Sequence, residues 1–302
     1  MPFGSTNRTF PSFKSSETIV NGRLADHRQG NTAGRSPALP SLENRRQAVP
    51  RLALRPGGKD TGAAIVGEEK GALIKVIVFD FDGTLFDTRR DIADAVNHAR
   101  RSYGLRELTL DEVTPMVGWG VRKLAEQAFA DTGIRTEEAL KRIMEYYDAH
   151  PGDRSVLYPG VRETLPKLQA TRVIVSNKPV HLIRSILEEH HLTPYFDYVI
   201  GGDSFSAQKP DPFPIRFLQA RYHVGTHEIL VVGDHAPDIE MARRAGCPSV
   251  FCRYGFFGKD EVGADYSIDR FAELEPLVKR LREQEGSSGS DVSSPPSTKP
   301  VG

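Results

Sequence analysis

Between about residues 70 and 285, the chain alternates between short apolar runs and stretches in which apolar residues recur at helical spacing. Leu73–Phe79 is an almost continuous apolar run of strand length, as expected for a parallel strand buried on both faces. The same reasoning predicts strands at Arg172–Ser176, Tyr198–Ile200, Glu228–Val232, Ser249–Cys252 and Tyr266–Ile268. The intervening helical stripes contain Val180, Ile183 and Leu187, then Phe213, Phe217 and Leu218, then Ile239 to Ala245 with Gly246 as C-cap. The resulting order predicts an α/β fold with a doubly wound parallel sheet.

Residues 88–155 interrupt this alternation with successive helical stripes and no strand-like run. The stripes contain Ile92, Val96 and Ala99, then Leu124, Ala128 and Phe129, then Leu140, Ile143, Met144 and Tyr147. We therefore expect residues 88–155 to form a helical cap domain inserted after the first strand. Residues 71–87 and 156–285 would form the core that carries the sheet.

The two ends of the chain have a different composition. Residues 1–70 are rich in Ser, Arg, Gly and Pro, and their apolar residues follow no period. Such a segment buries too little apolar surface to offset its ordering entropy, so we expect a disordered extension. A targeting segment or an over-extended start is the alternative. Residues 286–302 form a Ser/Pro/Gly tail that we also expect to be disordered.

Composition narrows the class of protein. The 40 basic and 40 acidic residues cancel, which argues against a nucleic-acid partner or an anionic membrane surface. The two cysteines, Cys247 and Cys252, form neither a disulfide framework nor a zinc-binding spacing. Apolar runs stay well below the roughly 18 residues of a membrane span. These observations predict a cytoplasmic protein that acts on a small molecule and leave its oligomeric state open.

The sharpest chemical signal is Asp80-Phe81-Asp82-Gly83-Thr84-Leu85-Phe86-Asp87, directly after the first predicted strand. Ligand sites of parallel sheets form beyond the carboxyl ends of strands, so Asp80 and Asp82 would project into a site. An isolated Asp-x-Asp would equally describe a turn capped by aspartates. The octapeptide as a whole, however, resembles the first motif of haloacid dehalogenase superfamily phosphatases.

Three further motifs of that superfamily have counterparts in the expected order. Ser176-Asn177 resembles the second motif, and Lys209 in Gln208-Lys209-Pro210-Asp211-Pro212 resembles the third. Gly233-Asp234-x-x-x-Asp238 resembles the fourth. The resemblance covers about residues 73–283, and the overall pattern is similar to the phosphoglycolate phosphatase-like group. It implies a Mg²⁺-dependent phosphatase with a Rossmann-like core that acts on a small phosphorylated metabolite.

The resemblance also assigns roles to individual residues. It implies Asp80 as the covalent nucleophile and Asp82 as the acid and base. It places Mg²⁺ on Asp80, the main-chain carbonyl of Asp82 and Asp234, with Asp238 in support. Lys209 and Ser176, with backbone amides near Gly83 and Asn177, would hold the phosphate. These residue types suit the reaction, because a negative ester repels an anionic nucleophile until its charge is neutralised.

A second group of residues is open to two interpretations. The loop Gly118–Arg122 is similar to a glycine-containing cap loop, in which Trp119 and Arg122 would recognise the leaving group. The alternative is a simple helix-entry turn. His235 is expected to be a bystander or an outer contact of the metal ligands. Arg89, Arg90 and Lys178 are further candidates near the site, although solvated side chains are expected for all three. The pair His190-His191 shows no metal-type spacing with carboxylates and is expected to consist of surface groups.

Two other functions compete with a phosphatase. A phosphomutase of the same superfamily would use the same Asp80 and Asp82 but keep water from the phosphorylated intermediate. A non-catalytic binding protein on this fold would be expected to have lost one of the four motif residues, and the chain retains Asp80, Asp82, Lys209 and Asp234. Dehalogenase and phosphonatase relatives usually lack a carboxylate at the position of Asp82.

Overall fold

We analysed the chain in a computed structural model, which describes residues 73–259 and 262–286. The predictions for residues 1–70 and for residues 287–302 of the tail lie outside these residues, whereas Gly286, predicted to begin the tail, is the last residue of the final helix. The strands are β1 (Val76–Phe79), β2 (Phe86–Asp87), β3 (Val156–Leu157), β4 (Thr171–Val175), β5 (Tyr198–Ile200), β6 (Ile229–Gly233), β7 (Ser249–Cys252) and β8 (Tyr266–Ile268).

The helices alternate with these strands and, between β2 and β3, follow one another directly. They are α1 (Arg89–Ser102), α2 (Leu110–Val113), α3 (Val121–Ala128), α4 (Thr136–Ala149), α5 (Val161–Thr164), α6 (Val180–Glu189), α7 (Phe213–Tyr222), α8 (Ala236–Ala245) and α9 (Leu274–Gly286). Short 3₁₀ turns lie at Thr114–Met116, Leu165–Lys167, Thr193–Tyr195, Thr226–Glu228 and Phe271–Glu273. Among the described helices, none is long and apolar enough to cross a bilayer.

Six strands form one parallel sheet in the order β5-β4-β1-β6-β7-β8. Strand β1 lies near the middle, where Phe79 is aligned with Ile174 of β4 and with Val232 of β6. The chain builds outward from β1 in one direction and then in the other, so the doubly wound parallel sheet is confirmed. The first strand is shorter than predicted, because it begins at Val76 rather than at Leu73.

Both faces of the sheet are covered by helices, which explains the near-continuous apolar strands. Ile77 and Phe79 point into one apolar cluster, which α6 and α9 complete. Val76 and Val78 point into the opposite cluster with α7 and α8. One residue of the predicted stripes departs from this arrangement, since Phe213 at the start of α7 is 43% exposed.

Helices α1 to α4 form what we call the helical insert, residues 89–149. Its apolar stripes meet in a cluster of their own, which also takes in Leu182 of the core helix α6. The boundaries 88 and 155 of a cap domain stay a prediction. The chain leaves and returns through the antiparallel pair β2 and β3, in which Phe86 is aligned with Leu157. Buried Asp91 in α1 accepts bonds from the Arg154 amide at 2.8 Å and from Ser155 Oγ at 2.6 Å.

Candidate active site

The residues singled out by the four motifs converge at the carboxyl edge of the sheet. Asp80 follows β1, Ser176 follows β4 and Asp234 follows β6, while Lys209 comes from the loop between β5 and α7. All four side chains are buried. The strand order places β1 between β4 and β6, which brings these loops together although they are far apart in the sequence.

Three buried carboxylates form the centre of the site. Asp80, Asp234 and Asp238 each offer an oxygen that lies within 4.8 Å of the others, in the part of the chain that the structure describes. Asp234 is fixed at both oxygens, by Thr84 Oγ1 at 3.1 Å and by the Phe256 amide at 2.8 Å. Oxygen donors of this kind suit Mg²⁺, so the residues fit the ion that the motifs imply.

Burial shifts the pKa values of the carboxylates in this centre. It raises the pKa of Asp80 to about 6; the charge of Asp238 raises this pKa further, and the charge of Lys209 lowers it. It also raises the pKa of Asp234 well above its usual range, with Asp80 and Asp238 adding to the effect. Both shifts arise mainly because burial disfavours the ionised carboxylates, and a divalent cation would stabilise the ionised forms.

Lys209 provides part of that positive charge. Its Nζ lies 2.6 Å from Asp80 Oδ1 and 2.6 Å from Asp238 Oδ1. Burial alone would lower the pKa of Lys209, but the carboxylates of Asp238 and Asp80 outweigh burial and hold the pKa above its ordinary value. The lysine therefore remains a cation beside Asp80. Asp238 is anchored at its other oxygen by the His235 amide at 3.1 Å.

Asn177 joins three parts of the site through its side chain. Its Nδ2 donates to the Gly118 carbonyl at 2.9 Å and to the Lys209 carbonyl at 3.0 Å. Its Oδ1 accepts the Lys209 amide at 2.9 Å. The adjacent Ser176 is buried; its amide donates to the Ile200 carbonyl at 3.0 Å, and its hydroxyl oxygen accepts the Lys178 amide at 3.4 Å.

Gly83 shapes the floor of the site by its lack of a side chain. Its φ is +90°, and a Cβ there would lie 2.2 Å from Asp234 Oδ2. Its own amide donates to the Phe86 carbonyl at 2.8 Å. The absence of a side chain at Gly83 therefore permits the close approach of the loop to Asp234.

Asp82 lies beside the carboxylate centre in a different environment. Its Oδ1 accepts bonds from Thr88 Oγ1 at 2.6 Å and from Lys178 Nζ at 3.1 Å. The prediction of a solvated Lys178 is wrong, because its side chain is only 3% exposed. Burial alone would lower the pKa of Lys178, whereas Asp82 and Tyr147 hold it above its ordinary value. The hydroxyl of buried Tyr147 hydrogen-bonds Lys178 Nζ and so has the partner that a buried phenol needs.

The loop 118–122 reaches the site with its backbone. Gly118 and Gly120 have φ of +94° and +87° and line a cavity of about 40 Å³ above Asp80 and Asp82. Trp119 lies outside that lining, 40% exposed, with its ring edge-on to His235 at 5.3 Å. Exposed Arg122 is paired with Glu137 of α4, so the structure does not bring its side chain to the cavity.

The histidines have packing contacts. His235 stacks on Phe257 with 3.8 Å between ring centroids, and burial lowers the pKa of this histidine to about 4. His190 is half-buried and packs edge-on against Phe86 at 4.8 Å. His191 is exposed, as expected. Half-buried Arg89 pairs with Asp87 at 2.6 Å.

This arrangement of fold and motifs defines a class of hydrolase. Residues 77–252 match the sequence profile of the haloacid dehalogenase-like hydrolases, and the chain belongs to that family. Among similar proteins is a phosphoglycolate phosphatase of Aliivibrio fischeri, 37% identical over 223 residues, which are 69% of this chain and 98% of the relative. The enzyme of that name from Photobacterium profundum is 34% identical over 220 residues, 68% of this chain and 96% of the relative.

Solved structures agree with this assignment. The crystal structure of a predicted phosphoglycolate phosphatase from Haemophilus somnus 129pt has a TM-score of 0.65 and 28% identity, and covers 68% of this chain and 98% of the neighbour. Within the family, the chain is therefore a phosphatase, in the group that resembles phosphoglycolate phosphatases.

Proposed function

We propose that the chain is a Mg²⁺-dependent phosphatase that hydrolyses a short phosphate monoester, such as phosphoglycolate, through a phosphorylated Asp80. The observation that carries the proposal is the buried cluster of Asp80, Asp234 and Asp238 with Lys209 beside it. Asp82 adjoins this cluster as a second carboxyl group that is not part of it. The names of the most similar relatives support the choice of substrate.

The carboxylates of Asp80 and Asp234 and the main-chain carbonyl of Asp82 would hold the metal. Asp238 would support them, since its oxygens already accept bonds from Lys209 and from the His235 amide. Mg²⁺, when bound, would neutralise charge between the ester and the nucleophile. The raised pKa values of Asp80 and Asp234 support such a site.

The reaction then divides between two carboxyl groups. Asp80 Oδ attacks phosphorus while the bond to the alkoxy oxygen breaks, and Asp82 gives that oxygen its proton. Water next attacks the phosphorus while its bond to Asp80 Oδ breaks, and this water loses a proton to Asp82. Inorganic phosphate is released, and both carboxyl groups return to their starting forms. Lys209 and the Ser176 hydroxyl stabilise the charge on the phosphoryl oxygens during both steps.

The size of the cavity favours a short leaving group. Its volume of about 40 Å³ corresponds to a few water molecules on the same measure. The part contributed by the helical insert is largely apolar, with Ile92, Met116, Val117, Val121 and Leu124. This lining accommodates a two- or three-carbon group more readily than a nucleoside.

The test is a panel of phosphate esters assayed with Mg²⁺ and with excess chelator, for the wild type and Asp80→Asn. We expect turnover of phosphoglycolate that requires Mg²⁺ and is lost in the folded variant, because the amide cannot act as the nucleophile. Acid quenching of the wild type should trap one phosphoryl group on Asp80, detectable by peptide mass. Substantial turnover by folded Asp80→Asn would refute the covalent route, and transfer to a second sugar hydroxyl would indicate a phosphomutase.

A further inference from the structure

Lys178 is a buried cation for which the proposed reaction has no task. It follows Asn177 directly and precedes α6, and its side chain is 3% exposed. Its Nζ contacts Asp82 Oδ1 at 3.1 Å and hydrogen-bonds the hydroxyl of Tyr147. It also lies 4.6 Å from the centre of the Tyr147 ring and 6.0 Å from that of Phe81. The ammonium group is therefore enclosed by one carboxylate and two aromatic rings.

Both hydrogen bonds recorded for the Asp82 carboxylate among the described residues end on the same oxygen. Thr88 Oγ1 approaches Oδ1 from the start of the helical insert, and Lys178 Nζ approaches it from the core. Two donors on Oδ1 fix the plane of the carboxyl group and leave Oδ2 for the reacting oxygen. Asp82 lines the cavity above Asp80, where such an oxygen would lie.

Stability alone gives a weak reason for this arrangement. Removing two charges from water costs free energy that their attraction only partly returns, and well-packed apolar side chains of similar size are often at least as stable. A buried ion pair at the edge of a reaction cavity is better explained by the orientation that it imposes. An orientation error of about 1 Å can lower a reaction rate by about 10²-fold.

Tyr147 extends the contact into the helical insert. It lies in the last turn of α4, and its buried ring belongs to the apolar cluster of the insert. The only polar atom of its side chain is the hydroxyl that bonds Lys178. The position of Lys178 is therefore coupled to the seating of α4 on the core, as the position of Gly118 is coupled to Asn177.

We propose that Lys178 is a positioning residue for Asp82, and that Tyr147 ties this alignment to the helical insert. The inference rests on the proposed role of Asp82 as acid and base. Lys178 keeps its protons throughout, and the proton that moves belongs to Asp82, to the leaving oxygen or to water. When α4 lies against the core, Lys178 is held and Oδ2 of Asp82 is aimed at the ester. When α4 moves away, the alignment is lost.

The experiment compares Lys178→Met, Lys178→Arg, Tyr147→Phe and Asp82→Asn in the full chain with Mg²⁺. The control is Lys141→Met, which removes a lysine that is 77% exposed on α4. The substrate is p-nitrophenyl phosphate, whose leaving group departs without a proton. A rapid-mixing measurement then separates formation of phosphorylated Asp80, seen as a burst of p-nitrophenol, from its later hydrolysis, which needs the base.

We expect Lys178→Met to retain a burst of about one p-nitrophenol per site, with a burst rate within about threefold of the rate of phosphorylation in the wild type. Steady-state turnover should fall about 100-fold with little change in KM, since general acid–base catalysis contributes roughly 10² to 10⁴. Lys178→Arg should recover at least tenfold of this loss. Tyr147→Phe should show the same pattern at about threefold to tenfold, the effect of one hydrogen bond. Lys141→Met should match the wild type.

The outcomes separate this inference from the proposed function. If Asp82→Asn fails to slow hydrolysis selectively, the acid and base assignment is wrong, and the inference is lost with it. If Asp82→Asn behaves as expected but Lys178→Met has normal turnover, only the inference is overturned. A burst that shrinks in parallel with turnover would indicate a purely structural lysine and would also overturn it. Should Lys178→Met not fold, Tyr147→Phe lacks only a hydroxyl and decides the question by the same criteria.

Discussion

Replacing Gly83 with alanine should damage the protein in two separable ways. The residue has φ of +90°, and the new Cβ would lie 2.2 Å from Oδ2 and 2.6 Å from Cγ of Asp234. Asp234 cannot retreat easily, because Thr84 and the Phe256 amide hold its two oxygens. On its other side, the backbone of Gly255 approaches so closely that a Cβ there would lie 2.3 Å from Asp234 Cβ.

The two contributions can be given rough magnitudes. A left-handed backbone conformation costs a residue with a Cβ about 1–2 kcal/mol. Overpacking a site that cannot relax adds about 1–3 kcal/mol. Gly83→Ala should therefore lower the free energy of unfolding by about 2–5 kcal/mol. Gly104→Ala isolates the backbone contribution, because Gly104 has φ of +67° with nothing within 4 Å of its Cβ position.

Urea unfolding with and without Mg²⁺ measures both effects. We expect Gly83→Ala to lose at least about 1 kcal/mol more than Gly104→Ala, with similar m-values. Mg²⁺ should stabilise the wild type and Gly104→Ala equally, since a ligand of the folded state adds RT ln(1 + [Mg²⁺]/Kd). Gly83→Ala should need at least about tenfold more Mg²⁺ for the same gain, because the Cβ displaces Asp234. Equal losses in the two variants, with equal responses to Mg²⁺, would refute the reasoning.

Substitutions at the helical insert and at Asn177 give further testable predictions. Burial raises the pKa of Asp91. The free energy of unfolding of the wild type relative to Asp91→Asn should therefore be greatest below the ordinary carboxyl pKa and should fall as the pH rises through the raised value. Urea titrations at several pH values measure this difference. Trp119→Ala should raise KM across an ester panel, whereas Arg122→Ala, which breaks only an exposed pair with Glu137, should change kcat/KM less than about twofold. Asn177→Ala removes three hydrogen bonds at the site and should lower kcat/KM at least about tenfold while leaving the secondary structure seen by circular dichroism intact.

The sequence located the sheet well, because strands buried on both faces carry an unbroken apolar signal. Tyr198–Ile200 and Tyr266–Ile268 have the predicted bounds, whereas the first strand begins three residues later than its apolar run. The two-residue strands β2 and β3 were not predicted, because Phe86–Asp87 and Val156–Leu157 are too short to show a period. Their pairing depends on the return of the chain after the helical insert.

Asp80 was placed by its position after the first strand, and Asp234 and Lys209 by their resemblance to superfamily motifs. The structure brings all three together. Lys178 was a candidate near the site, but its burial and its contacts could not be predicted, since its neighbours Asp82 and Tyr147 lie 96 and 31 residues away in the sequence. A lysine after a strand is ordinarily solvated. Lys178 is buried because α4 packs against the core at this point, and the local sequence around Lys178 does not predict that packing.

The pairing of β2 with β3 has a consequence for how such enzymes diversify. Phe86 and Leu157 are partners on neighbouring antiparallel strands, so the two ends of the intervening segment leave the core about one strand spacing, roughly 5 Å, apart. A module whose own ends lie equally close can be exchanged at this junction with little loss of chain entropy and no change of sheet register. The core that carries the phosphoryl chemistry and the inserted segment that affects the choice of ester can then change independently, in evolution or by engineering.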